Sequence, residues 1–168
     1  MLDISIKKGN VINYNSAMRA ASREGHMDIV KFMINLGAND YESAMVNAAY
    51  KGDVDIIKLM LDHYKEEIQT SGKEAKNYGY VMRIAAMGGC KNIIYLILEH
   101  LSKDPIKTSV DLIEDYNVVM STAASNGHLD IVELMLENGA TAYDWALNTP
   151  NQDIKFLLNI YRGQKTKL

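Results

Sequence analysis

Four glycines with the same neighbours constrain the fold of this chain more than any other feature of its sequence. They are Gly25, Gly52, Gly89 and Gly127. A pair of small residues stands three and four positions before each glycine, a methionine seven before it, and a tyrosine eleven before it. An Asp-Ile or Asn-Ile pair follows each glycine. A unit this short cannot bury an apolar core alone, so its recurrence predicts a stack of similar units.

The clearest unit occupies residues 115–140 and contains two predicted helices. Met120 and the small pair after it lie on one side of the first helix, because they are spaced by three and four residues. Gly127 ends that helix, since glycine adopts the left-handed conformation without steric cost. Asp130 opens an apolar run, where its carboxylate can accept first-turn N–H groups. The apolar stripe that follows is wide, so we expect neighbours to cover it on two sides.

An Asn or Asp precedes each of the four tyrosines, and we interpret these residues as N-caps of the first helices. They are Asn13, Asp40, Asn77 and Asp115. The four methionines have a fixed place beside the small pair, which predicts that they belong to the core rather than to an adaptable binding surface. They are Met18, Met45, Met82 and Met120.

The segments GHMDIVKFMINLGA and GHLDIVELMLENGA, with the small pair before each glycine, closely resemble ankyrin repeats. The resemblance covers nearly the whole chain and implies an all-α ankyrin-repeat solenoid of stacked helix-turn-helix units. The family's Thr-Pro-Leu-His at the head of the first helix is missing here. Because Gly37-Ala38 is followed almost directly by Asp40-Tyr41, we also expect shortened β-hairpin fingers with little or no β structure.

These departures, the Tyr-x-x-x-Met pattern and the richness in Asn, Lys, Ile and Tyr resemble the divergent ankyrin-repeat proteins of giant DNA viruses. The single cysteine, Cys90, excludes an internal disulfide and fits a reducing compartment. No apolar run is long enough to span a bilayer, and the N-terminus lacks the features of a signal peptide. We therefore predict a cytoplasmic protein without membrane association, which for a viral protein means the host cytoplasm.

The repeat pattern predicts one ankyrin-repeat domain over residues 1–168, with a cap at each end. The predicted units are a half-repeat cap at 1–12, repeats at 13–39, 40–76, 77–114 and 115–140, a C-terminal cap repeat at 141–161, and a basic tail at 162–168. Two inserts follow second helices. Residues 64–77 predict an extended helix and an exposed loop, and residues 101–114 predict a loop with a short helical turn. Their role is left open between a binding edge and tolerated surface loops.

The repeat also explains most residues that could carry chemistry, so we predict no catalytic residue, no metal site and no cofactor. His26 and His128 occupy the family's Gly-His place, where the resemblance implies hydrogen bonds between repeats. His63 and His100 end second helices and are expected to lie apart. Cys90 has no Cys-x-x-Cys partner for zinc. Phosphate-loop and nucleophile motifs are missing, so we expect a protein that is not an enzyme.

The ankyrin resemblance implies a concave binding surface built from the first helices and the turns before them. The family's variable contact positions before each turn glycine correspond to Arg23, Glu24, Tyr50, Lys51, Met87, Gly88, Ser125 and Asn126. The residues after each tyrosine join them, namely Asn15, Glu42, Gly79 and Asn117. Tyr50 and Met87 are apolar side chains at positions the fold leaves exposed, which is typical of interface hot spots.

Two functions follow as hypotheses. The first is an adaptor or inhibitor that binds a partner protein, a host protein in the viral case, without chemistry. The second is a structural module that forms a homodimer through its end repeats, favoured by apolar residues at Leu2, Ile4 and Ile6. The net charge of -3 argues against a nucleic-acid partner.

Overall fold

The computed structural model describes residues 13–71, 78–103 and 109–165. Across these ranges the chain forms ten α-helices and no β-strand. The helices are α1 Tyr14–Glu24, α2 Met27–Asn35, α3 Tyr41–Lys51, α4 Val54–Ser71, α5 Tyr78–Met87, α6 Lys91–Ser102, α7 Ser109–Ser125, α8 Leu129–Glu137, α9 Tyr143–Ala146 and α10 Gln152–Lys165. The predicted half-repeat cap at 1–12, the loop at 72–77 and the N-cap at Asn77 lie outside the described residues.

The helices form two layers. The first helices α1, α3, α5, α7 and α9 lie side by side, each in contact with the next. Each second helix packs against the first helix of its own unit, and α4 contacts α6 as α8 contacts α10. This arrangement confirms the predicted all-α repeat solenoid.

Local sequence explains most helix ends. The side chains of Asn13 and Asp40 accept hydrogen bonds from the backbone N–H groups of Ser16 at 3.0 Å and Ser43 at 3.3 Å, as N-caps do. The four turn glycines end or follow the first helices with φ between 71° and 81°, a region that side chains with a Cβ avoid. The N-caps predicted at Asn13 and Asp40 and the four glycine turns are therefore confirmed.

One cap prediction was wrong. Asp115 lies inside α7 rather than at its start, because α7 already begins at Ser109. The segment predicted as a loop is helical there, and Leu112 packs against the core, so burial favours the extension. Asp130 lies in the first turn of α8, near the positive end of the helix dipole, while His128 holds the N-cap position.

The C-terminal helix also differs from the prediction. The basic tail was expected to begin at residue 162, but α10 continues to Lys165. Arg162 lies 2.9 Å from the carboxylate of Asp144 in α9, so this arginine joins the two helices of the last unit. The first insert agrees with the sequence, since α4 runs on to Ser71 as an extended helix.

The core lies between the layers and contains the residues the repeat predicted. Met18, Met82 and Met120 are fully buried and Met45 is 1% exposed, which confirms their assignment to the core. The small pairs beside them allow neighbouring first helices to approach closely. Ser22 is buried in one of these pairs, and its hydroxyl donates a 2.8 Å hydrogen bond to the carbonyl of Met18.

Each turn glycine of the first three repeats faces a side chain from the next unit. A Cβ on Gly89 would lie 2.7 Å from the ring of His128, and one on Gly52 would lie 3.2 Å from the Cys90 sulfur. His128 thus contacts the preceding repeat by packing, and no hydrogen bond of its imidazole occurs among the described residues. The hydrogen bond that the resemblance implied for His128 is replaced by this contact.

Candidate functional site

The exposed side of the first helices carries a groove. In α3 the residues Ala44, Met45, Ala48 and Ala49 face the core, so Val46, Asn47 and Tyr50 face outwards. A depression of about 750 Å³ runs over α1, α3 and α5. Its lining consists of Arg19, Ala20, Arg23, Glu24, Glu42, Ser43, Val46, Asn47 and Tyr80.

A second depression of about 540 Å³ continues the first towards the turns that end α1 and α3. Its lining consists of Arg23, Glu24, Asn47, Tyr50 and Lys51. The two depressions share Arg23, Glu24 and Asn47, so they form one continuous surface, which we call the groove. Five of the predicted contact residues line it, namely Arg23, Glu24, Glu42, Tyr50 and Lys51.

Large side chains stand exposed in and beside the groove. Tyr50 is 56% exposed at one end, and Tyr80 is 40% exposed at the other. The guanidinium carbon of Arg83 lies 4.8 Å from the centroid of the Tyr80 ring, a cation–π contact. Met87 is 45% exposed one helical turn beyond Arg83, outside the lining of the two depressions.

Sequence reasoning missed several residues in and beside the groove. Arg19, Val46 and Arg83 were not predicted, although each stands four residues before a predicted contact position. Residues four apart share a helix face, so extending the predicted positions back by one turn would have found all three. Tyr80 gave a weaker signal, because the equivalent positions of the first two repeats are occupied by Ser16 and Ser43.

Two predicted contact residues take part in the fold instead. The amide oxygen of Asn15 accepts hydrogen bonds from the backbone N–H groups of Asn39 at 2.8 Å and Asp40 at 3.1 Å. The amide oxygen of Asn117 accepts from Thr141 at 2.6 Å and Ala142 at 2.9 Å. In both cases the side chain fixes the chain entering the next unit.

Three more predicted positions lie away from the groove. Gly79 is buried against the Asp115 side chain, where a Cβ would overlap the carboxylate. Ser125 and Asn126 are exposed at the end of α7. Their side chains donate to the carbonyls of Ser121 at 2.9 Å and Thr122 at 2.8 Å, so they are bonded within their own helix.

His63 inside α4 and His100 near the end of α6 contact the tyrosines that open their own repeats. The ring of His63 stacks on Tyr41 with centroids 5.6 Å apart. The hydroxyl of Tyr78 lies 3.2 Å from Nε2 of His100. The two histidines thus contact different tyrosines, and the described part of the chain contains no group of three His, Cys, Asp or Glu side chains placed to hold a metal ion.

Burial raises the pKa of two tyrosines, Tyr116 and Tyr143. The pKa of Tyr116 is raised above its ordinary value, mainly because its phenol is removed from water and secondarily because the Asp115 carboxylate disfavours a second negative charge nearby. Tyr116 belongs to the core and lies away from the groove.

No helix in the described ranges combines the length and the apolar character needed to cross a bilayer.

Helical hairpins stacked in two layers, with a groove across the first helices, define a solenoid of repeated units. A family model of ankyrin repeats in three copies matches residues 17–109, and a model of a single ankyrin repeat matches residues 117–148. The chain belongs to the ankyrin-repeat family.

Ankyrin repeats are in general protein–protein interaction modules and are typically non-catalytic. A comparison with curated proteins finds no match.

Proposed function

We propose that the groove binds a partner protein and that the protein acts by occupancy, as an adaptor or inhibitor, without catalysing a reaction. The contact set of this proposal is Arg19, Arg23, Glu24, Glu42, Tyr50, Lys51, Tyr80, Arg83 and Met87. Family membership supports a protein partner, and the shape and composition of the groove support its location.

The exposure of Tyr50 is the observation that carries the proposal. A tyrosine with 56% of its surface exposed is not explained by packing, since α3 buries its alanines and methionine on the opposite face. Tyrosine and arginine are the side chains most enriched among interface hot spots, and Tyr50 lines the groove together with Arg23.

The proposed setting is the cytoplasm, and the proposed partner is a host protein. Two features of the sequence support this extension: the single cysteine fits a reducing compartment, and the repeat pattern resembles that of viral ankyrin-repeat proteins. The groove itself requires only a protein segment of matching shape and charge.

A photo-crosslinking experiment tests the location of binding. A photoreactive phenylalanine analogue replaces Tyr50 in one variant and Tyr95 in the other. Tyr95 is a matched control because it is a tyrosine with 61% exposure on α6, a second helix. We expect a discrete cross-linked adduct in cells from position 50 and none from position 95. Equal adducts from both positions, or an adduct from position 95 alone, would contradict the proposed groove.

Self-association is a second candidate function, because α2 exposes an apolar face at the N-terminal end of the described stack. Ile29 is 45% exposed, whereas its repeat equivalents Ile56, Ile93 and Ile131 are fully buried. Phe32 on the same helix is 58% exposed. Light scattering over a concentration series tests this function. A dimer that Phe32→Glu converts to a monomer would support it, and a constant monomer mass would exclude it.

A further inference from the structure

Among the described residues, three basic side chains in and beside the groove have no ion-pair partner. Arg23, Lys51 and Arg83 form no salt bridge among the described residues, and Glu24 is the only groove carboxylate in the same condition. The carboxylate of Asp40 beside the groove already has partners: one oxygen lies 3.4 Å from a guanidinium nitrogen of Arg19, and the other caps α3. The charges left for a ligand are therefore predominantly positive, although the whole chain has a net charge of -3.

The geometry of Arg83 suits a carboxylate. Its guanidinium carbon lies over the Tyr80 ring, 4.8 Å from the ring centroid, so the ring covers one side of the group. The N–H donors of a guanidinium lie in its plane, and a carboxylate can accept two of them side by side. Stacking also restricts the side chain before binding, which lowers the entropic cost of recognition.

The neighbours of these arginines indicate a protein segment. Tyr50 and Met87 are exposed apolar side chains one turn beyond Val46 and Arg83, and they offer contacts for apolar groups. Glu24 and Glu42 place negative charges among the basic side chains of the groove. These carboxylates would repel a phosphate backbone, so the surface does not suit a nucleic acid. A protein segment with an acidic side chain beside an apolar one can contact both the arginines and the exposed apolar side chains.

We infer that the groove takes an acidic protein segment, with Asp or Glu side chains on Arg23 and Arg83 and an apolar or aromatic side chain against Tyr50. The inference rests on the proposed function and deepens it by naming the chemistry of the partner. Complementary charge of this kind sets specificity and association rate.

A random dodecapeptide library displayed on phage, selected against the full chain, tests the inference. We expect selected peptides to be enriched in Asp and Glu and to contain an aromatic or large apolar residue. Synthetic copies should bind at least tenfold more weakly to Arg23→Glu/Arg83→Glu. The control Lys31→Glu/Lys58→Glu makes the same charge change at exposed positions of α2 and α4 and should leave binding unchanged. Thermal melting verifies that both variants are folded, and affinity for the wild type should fall as salt is raised.

The outcomes separate the two proposals. Peptides without acidic enrichment whose binding is lost in Tyr50→Ala would overturn the acidic inference and leave the groove as the binding site. Peptides that bind Tyr50→Ala and the arginine variant as well as the wild type would overturn both proposals, as would a selection that yields no binding peptide. Acidic peptides weakened equally by the control variant would show a general charge effect and would overturn the assignment to Arg23 and Arg83.

Discussion

The amide oxygen of Asn117 lies 2.6 Å from the backbone nitrogen of Thr141 and accepts its hydrogen bond across 24 residues of sequence. It also accepts from Ala142 at 2.9 Å. Asn15 does the same for Asn39 and Asp40 in the first repeat. Because the β-hairpin fingers are shortened, little backbone pairing is left to connect these repeats. A single amide side chain takes over part of that role.

Asn117→Ala should destabilise the fold by about 1 to 3 kcal/mol, because two hydrogen bonds are lost and each contributes roughly 0.5 to 1.5 kcal/mol. Urea unfolding followed by circular dichroism measures the change. Asn117→Asp retains an acceptor oxygen at the same place and should lose much less. Equal losses in the two variants would show that the hydrogen bonds do not stabilise the junction.

Gly79→Ala should destabilise the fold by roughly 1 to 3 kcal/mol, since a Cβ at Gly79 would overlap the Asp115 side chain. Alanine in a helix normally gains up to about 1 kcal/mol over glycine, so the clash must outweigh that gain. Gly163→Ala is the control, because nothing lies near its Cβ position in α10, and it should stabilise. Thermal melting compares the two. A stabilised Gly79→Ala variant would show that the Asp115 side chain moves aside without cost.

Met45→Ala should cost roughly 2 to 5 kcal/mol, as truncations of core methionines do. Met45 is 1% exposed between the layers. Met87→Ala is a matched control, since Met87 is 45% exposed and its truncation leaves no cavity. Denaturant unfolding of both variants provides the comparison. Similar small losses at both sites would contradict the buried role of the repeat methionine.

Stability should fall at alkaline pH because of Tyr116. The pKa of this phenol is raised by burial, so the neutral form is favoured in the folded chain. Below a pH of about 10 the tyrosine is neutral in both states and its contribution is fully present. As the pH rises further, the unfolded chain loses the proton first and stability declines. Urea midpoints from about pH 9 to 11 should decline less steeply for Tyr116→Phe than for the wild type.

The fold was predictable from sequence because its signals are local. Asn13 and Asp40 were identified as caps from the residues beside them, and the methionines were assigned to the core from helical spacing alone. Asp115 was misassigned because the same local pattern follows a segment that is itself helical. The start of α7 depends on Leu112 reaching the core, which adjacent residues do not reveal.

The groove was predicted only in part. Tyr50 and Arg23 follow from their position before a turn glycine, whereas Asn15 and Asn117 occupy equivalent positions after a tyrosine but bind the backbone of the next unit. The difference lies in the residues that meet them from the following repeat. A single repeat does not contain that information.

The sequence by itself determined the type of repeated unit, its glycine turns and its buried methionines, because periodicity and backbone conformation act within a few residues. Only the tertiary structure decided which side chains meet across repeats: Arg23 lies beside Tyr50 from α1 and α3, and Asn117 bonds the backbone of Thr141. These contacts depend on how far and at what angle successive helices stack, which is set by the packing of the whole core.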